Sequence, residues 1–99
     1  MTGIVLNGRT NVTIQNIQMK NFYYGISLKS SSNNNIIGNS ITAIDWDCIK
    51  LENSSSNNIT GNIITSKNGN GIWLGFSSSY NIITENVITA NGRNGIYLY

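Results

Sequence analysis

At 99 residues there is room for one domain, spanning residues 1–99, and the net charge of +2 comes from six scattered basic residues rather than the basic stripe that nucleic acid calls for. The absence of histidine excludes catalytic triads and histidine-ligated zinc or copper, and a single cysteine, Cys48, excludes an internal disulfide. No apolar run approaches the roughly 20 residues needed to span a bilayer.

The composition is uneven, with 18 Asn, 12 Ser and 17 Ile, and no Pro. Ile favours strands, whereas Asn and Ser favour turns, so the mixture predicts many short strands joined by polar corners. One phrase organises the chain. It appears as Gly3-Ile4-Val5-Leu6, Gly25-Ile26-Ser27-Leu28, Cys48-Ile49-Lys50-Leu51, Gly71-Ile72-Trp73-Leu74 and Gly95-Ile96-Tyr97-Leu98, at intervals of 22, 23, 23 and 24 residues. A near-constant period of this length marks a repeat architecture. Alternation along each phrase predicts a short strand with Ile and Leu facing inward and a variable residue, Val5, Ser27, Lys50, Trp73 or Tyr97, facing outward.

A polar corner follows each phrase: Asn7–Asn11, then Ser30–Asn34, Ser54–Asn58 and Ser77–Asn81. Its return at one phase of the repeat favours a turn over a disordered linker. Next comes an apolar pair five residues apart, read as Val12 and Ile17, Ile36 and Ile41, Ile59 and Ile64, and Ile83 and Ile88. A five-residue step changes face on a straight strand, so the backbone must bend between the members. Asn39, Asn62 and Asn86 fall inside that bend, with Gln15 or Asn16 in the first copy, and predict a stacked asparagine ladder. A looser corner closes the circuit, with Met19, Ala43, Ser66 and Ala90 sharing one slot. Thr42, Thr65 and Thr89 predict an outward column in single file.

Three short strands per period, stacking on themselves, predict an all-β fold: a right-handed, single-stranded parallel β-helix (solenoid) of about four coils of 22–24 residues. Adjacent coils would lie about 4.8 Å apart. Each fully buried Ile would contribute about 1.5–3 kcal/mol, and no single coil has a core of its own.

Ser54–Thr65, followed by Gly69-Asn70-Gly71-Ile72-Trp73-Leu74, resembles the parallel β-helix repeats of NosD-like proteins, and the resemblance covers essentially the whole chain. It implies a right-handed β-helix of the kind found in bacterial and archaeal surface or periplasmic proteins and in carbohydrate-active enzymes. The copper role attached to the NosD name does not carry over, because copper wants His, Met or Cys ligands and the chain offers only Met1, Met19 and Cys48.

The repeat is most disturbed at Asp45-Trp46-Asp47-Cys48-Ile49-Lys50-Leu51. Asp45 and Asp47, two apart, are compatible with calcium ligation or paired-carboxylate chemistry. Asp47–Leu51 also resembles the stretch around the catalytic aspartates of polygalacturonases, but Trp46 stands where that family has its first aspartate, and the Gly-His-Gly and Arg-Ile-Lys elements are missing. The plainer reading has Asp45 and Asp47 replacing Asn68 and Asn70 as turn residues, with Cys48 in a glycine slot.

Trp46, Lys50, Trp73 and Tyr97 form the candidate carbohydrate-contacting set: flat rings beside polar groups that orient hydroxyls. The alternative is that these aromatics stack on one another or pack against a neighbouring domain. Lys29 and Glu52, in consecutive coils, are expected to pair. The expected function is a non-catalytic surface scaffold contacting polysaccharide, without cofactor unless calcium, outside the cell, at its surface or in the periplasm. The competing expectation is a fragment of a pectin- or alginate-type lyase, hydrolase or epimerase. Since the repeat runs from residue 3 to the end, the chain is expected to be part of a longer β-helix, or to self-associate through its open strand edges.

Overall fold

The computed structural model describes residues 2–43 and 45–99; Met1, and Ile44 between the third strand of the second coil and Asp45, lie outside the described residues. Among these residues the strands run, in chain order, β1 (Thr2–Asn7), β2 (Thr13–Gln15), β3 (Gln18–Phe22), β4 (Tyr24–Lys29), β5 (Asn35–Ile37), β6 (Ser40–Ala43), β7 (Ile49–Glu52), β8 (Asn58–Thr60), β9 (Ile63–Ser66), β10 (Ile72–Gly75), β11 (Ile82–Thr84), β12 (Val87–Ala90) and β13 (Ile96–Leu98). They assemble into a five-stranded sheet in the order β1-β4-β7-β10-β13 and two four-stranded sheets, β2-β5-β8-β11 and β3-β6-β9-β12. Every pairing is parallel and joins one coil to the next. The result is a solenoid of about four coils.

The register explains the repeat. Ile4, Ile26, Ile49, Ile72 and Ile96 align in one column, and Leu6, Leu28, Leu51, Leu74 and Leu98 in another. In the middle coils these residues, with Ile36, Ile41, Ile59 and Ile64, are wholly removed from solvent and form one core cluster. Cys48 is also fully buried, so the phrase does not alternate at its first position. The glycines of that column stand under the next coil: a Cβ on Gly71 would lie 2.5 Å from the carbonyl oxygen of Gly95.

Corners are marked by left-handed residues in columns. Asn11, Asn33, Ser56 and Tyr80 (φ 55° to 59°) form one, and Asn16, Gly38, Gly61 and Glu85 (φ 55° to 68°) another. Only residues that tolerate positive φ turn the chain cheaply, which accounts for the Asn and Gly at these places.

Two ladders of asparagine run through the corners. In one, the backbone N–H groups of Ile17, Asn39 and Asn62 donate to the side-chain oxygens of Asn39, Asn62 and Asn86 at 3.0, 2.9 and 2.8 Å. In the other, Val12, Asn34 and Asn57 donate to Asn34, Asn57 and Asn81 at 2.9, 2.9 and 2.8 Å. This second ladder has no counterpart in the sequence reading. Ser31, Ser54 and Ser78 accept in the same way.

The first coil corrects the reading of the apolar pairs. Ile14 aligns with Ile36 and Met19 with Ile41, so Ile14 and Met19, rather than Val12 and Ile17, take the core columns, with Val12 packed against the core only partly buried. Val12 and Ile17 occupy ladder positions instead, and Asn16 is a turn residue. The physical reason is the direction of the ladder: Val12 and Ile17 contribute only their backbone N–H groups, to Asn34 and Asn39, and no donor among the described residues calls for an acceptor on their side chains, so apolar residues fit there. Met19 also leaves the slot shared by Ala43 and Ser66. A register shift between Met19 and Phe22 places Phe22 opposite Ala43, with Asn21 at φ 64°, as in a β-bulge. The Thr42, Thr65, Thr89 column is aligned as expected.

Candidate functional site

On the outer face of the five-stranded sheet, Ser27, Lys50, Trp73 and Tyr97 occupy adjacent rungs. The corner preceding this sheet supplies Trp46, whose backbone N–H donates to the Tyr23 carbonyl at 3.0 Å. These elements enclose a groove of about 220 Å3 lined by Tyr24, Trp46, Asp47, Lys50, Gly69, Asn70, Trp73 and Arg93. Gly69 follows Trp46 in the corner column, and a Cβ there would lie 2.8 Å from the Trp46 Cα, so glycine lets the two corners meet and leaves the groove without a side chain at that place.

The aromatic rings are arranged in series. Tyr24 stacks on Trp46 with centroids 6.2 Å apart and 15° between planes, and Trp46 remains half exposed. Lys50 Nζ lies 5.2 Å from the centroids of both Tyr24 and Trp73, a cation held between two ring faces. Trp73 stacks on Tyr99 at 6.0 Å, and both contact Phe76. Lys50 Nζ is also 3.3 Å from Glu52 Oε1. That pair replaces the expected Lys29–Glu52 pair. Lys29 does align with Glu52 across the sheet, but Lys50 sits two residues away on the same strand face and its ammonium is the one within reach.

Of the sequence-derived contact set, Trp46, Lys50 and Trp73 line the groove. Tyr97 takes the next rung without lining it, and Tyr99 rather than Tyr97 stacks on Trp73. Tyr24, Gly69 and Arg93 were not singled out from the sequence, and Asn70 entered only as the turn counterpart of Asp47. The signal for Gly69 and Arg93 was the column Tyr23, Trp46, Gly69, Arg93, where four different residue types share one corner slot; Tyr24 and Asn70 stand in the next column, with Asp47.

The two aspartates are divided by the corner. Asp45 Oδ1 accepts from Asn68 Nδ2 at 3.3 Å and does not line the groove. Asp47 is almost fully buried, and its Oδ1 accepts both the backbone N–H and the side-chain amide of Asn70, at 2.8 and 2.9 Å. Asn70 Oδ1 in turn accepts from the Asn94 N–H at 3.0 Å. This third ladder runs opposite to the other two, with each coil donating to the one before. Its head residue has only to accept, and a carboxylate serves. Among the described residues no group of three or more His, Cys, Asp or Glu side chains gathers to hold a metal ion. Cys48, fully buried behind Asp47, donates to the Thr65 carbonyl at 3.0 Å, and burial pushes its thiol up to about 11.

Parallel, coil-on-coil register runs through the described residues from Thr2 to Leu98. The family model described as a right handed beta helix region matches residues 1–99. The chain belongs to this family. Comparison with curated proteins and with solved structures gives no match. Right-handed coiling agrees with the rule for crossovers between parallel strands. In this right-handed β-helix the groove lies where the repeat is least regular, across four successive coils, from Tyr24 to Arg93.

Proposed function

We propose that this β-helix is a non-catalytic scaffold that contacts carbohydrate through the groove between Trp46 and Trp73. The carrying observation is the composition of that groove: tryptophan walls, with Lys50, Asp47, Asn70 and Arg93 converging on one concavity. Sugar rings present an apolar face edged by hydroxyls, and a ring wall beside donors and acceptors complements both. Trp46, half exposed, offers the freer platform, because Trp73 already has Lys50 on one side and Tyr99 on the other. Such a module serves where polysaccharide is met, at a cell surface, outside the cell or in the periplasm.

The test is a glycan array probed with the intact chain, with and without calcium, alongside Trp46→Ala and Trp73→Ala. Glycan binding that Trp46→Ala removes supports the reading, and calcium dependence would bring Asp45 into play. No binding to any glycan refutes it. Turnover of polygalacturonate or alginate, abolished by Asp47→Asn, would replace it with an enzymatic role.

A further inference from the structure

The groove carries an acceptor that the ladder does not use. Both hydrogen bonds to Asp47 end on Oδ1. Among the described residues no hydrogen bond reaches Oδ2, yet no buried side-chain polar atom there is left without a partner. Oδ2 is therefore not sealed in the core, and Asp47 is one of the residues that line the groove. The ladder does not demand a carboxylate at this place, since Asn70 does the same work for Asn94 through its amide oxygen. What the carboxylate adds is a second, negatively charged oxygen, on a residue that lines the groove.

The charges around it differ in reach. Lys50 is partly balanced by Glu52 at 3.3 Å and directed between two rings. Arg93 is exposed at the rim, where water screens it. The Asp47 carboxylate is the most buried charge of the groove, and electrostatic effects strengthen as the surroundings lose water.

We infer that the groove takes a neutral pyranose, with ring hydroxyls donating to Asp47 Oδ2, and that it discriminates against uronic acids. This rests on the carbohydrate reading above and narrows it to a ligand class. A hydroxyl donating to a carboxylate makes a charge-assisted bond about twice as strong as a neutral one. A uronate carboxylate can only accept, as can Oδ2, so the two would meet without a proton to share and with like charge. At about 220 Å3, below the roughly 300–1,000 Å3 of pockets for larger ligands, the groove has room for about one ring.

The experiment titrates the intact chain and Asp47→Asn with the neutral disaccharides cellobiose, maltose and lactose, and with digalacturonate, following tryptophan fluorescence and amide chemical shifts. The expected result is one or more neutral sugars binding roughly tenfold tighter than digalacturonate. In Asp47→Asn, where the ladder keeps an amide oxygen as on the next rungs, that gap closes to less than about threefold. Digalacturonate binding as tightly as the best neutral sugar overturns the inference while leaving the carbohydrate reading in place. So does a gap that Asp47→Asn does not change. Silence toward every sugar overturns both. The wild-type comparison decides by itself should Asp47→Asn fail to fold.

Discussion

Asn62 is the residue on which the ladder can be tested most directly. It is fully buried in the middle of its column. Its Oδ1 accepts from the Asn39 N–H at 2.9 Å and the Asn39 amide at 3.1 Å. Its Nδ2 donates to the Ile36 carbonyl at 2.9 Å and to Asn86 Oδ1 at 3.0 Å. Asn62→Ala removes all four. The Asn39 N–H then has no acceptor, which costs about 1–3 kcal/mol for a buried donor. The other partners keep some of their bonds: Asn39 Nδ2 still reaches the Ile14 carbonyl at 2.9 Å, and Asn86 Oδ1 still accepts the N–H of residue 62 at 2.8 Å. Each of those losses is nearer 0.5–1.5 kcal/mol. The sum is about 2–6 kcal/mol, a large part of the roughly 5–15 kcal/mol that holds a domain together. Urea unfolding followed by circular dichroism measures it, and with m of about 1–3 kcal/mol/M the midpoint should fall by at least about 0.7 M. Ile17→Asn is the companion variant. It places an amide at the ladder position to which nothing among the described residues donates, and its effect should stay within about 0.5 kcal/mol. A loss below about 1 kcal/mol for Asn62→Ala at unchanged m would refute the reasoning.

Two further outcomes follow from the corners and the core. Glu85 is exposed at φ 55° in a column otherwise held by Asn16, Gly38 and Gly61, so Glu85→Gly should relieve backbone strain of about 1–2 kcal/mol against a Gly entropy cost of about 0.5–1. A thermal melt should rise by a few degrees, and an unchanged or lower Tm counts against strain at this site. Cys48, with its thiol raised from 9.0 to about 11 by burial, should resist Ellman's reagent near pH 8 until the chain unfolds. Below about 9 the thiol is protonated in both states; above it the unfolded chain releases a proton that the native state retains, so stability falls as pH rises toward about 11. Cys48→Ala should remove that part of the decline, and identical pH slopes for the two proteins would show that the thiol does not contribute.

Much of the fold was legible because the solenoid turns sequence period into spatial adjacency. Residues 22 to 24 apart become neighbours, so the Ile26, Ile49, Ile72 column and the Asn39, Asn62, Asn86 ladder are visible as recurring letters. The first coil was misread for the same reason. Val12 and Ile17 look like core residues by type and spacing, and only the pairing of Ile14 with Ile36 shows that they stand in ladder positions. The Asn34, Asn57, Asn81 ladder hid inside polar corners that read as ordinary turns.

The sequence by itself determined the coil, its core columns, the sites of its corners and the outward rungs of Lys50 and Trp73. It did so because every repeat must satisfy the same stacking constraint, and the same residue types recur to meet it. The tertiary structure alone decided the groove, the direction of each ladder and the partner of Glu52. These depend on how unlike residues from different coils approach one another: Trp46 over Gly69, Lys50 between Tyr24 and Trp73, Asp47 heading a ladder that runs against the others. Periodicity specifies what is repeated, whereas these contacts arise where the repeat is broken, and there only the packed geometry chooses among the partners within reach.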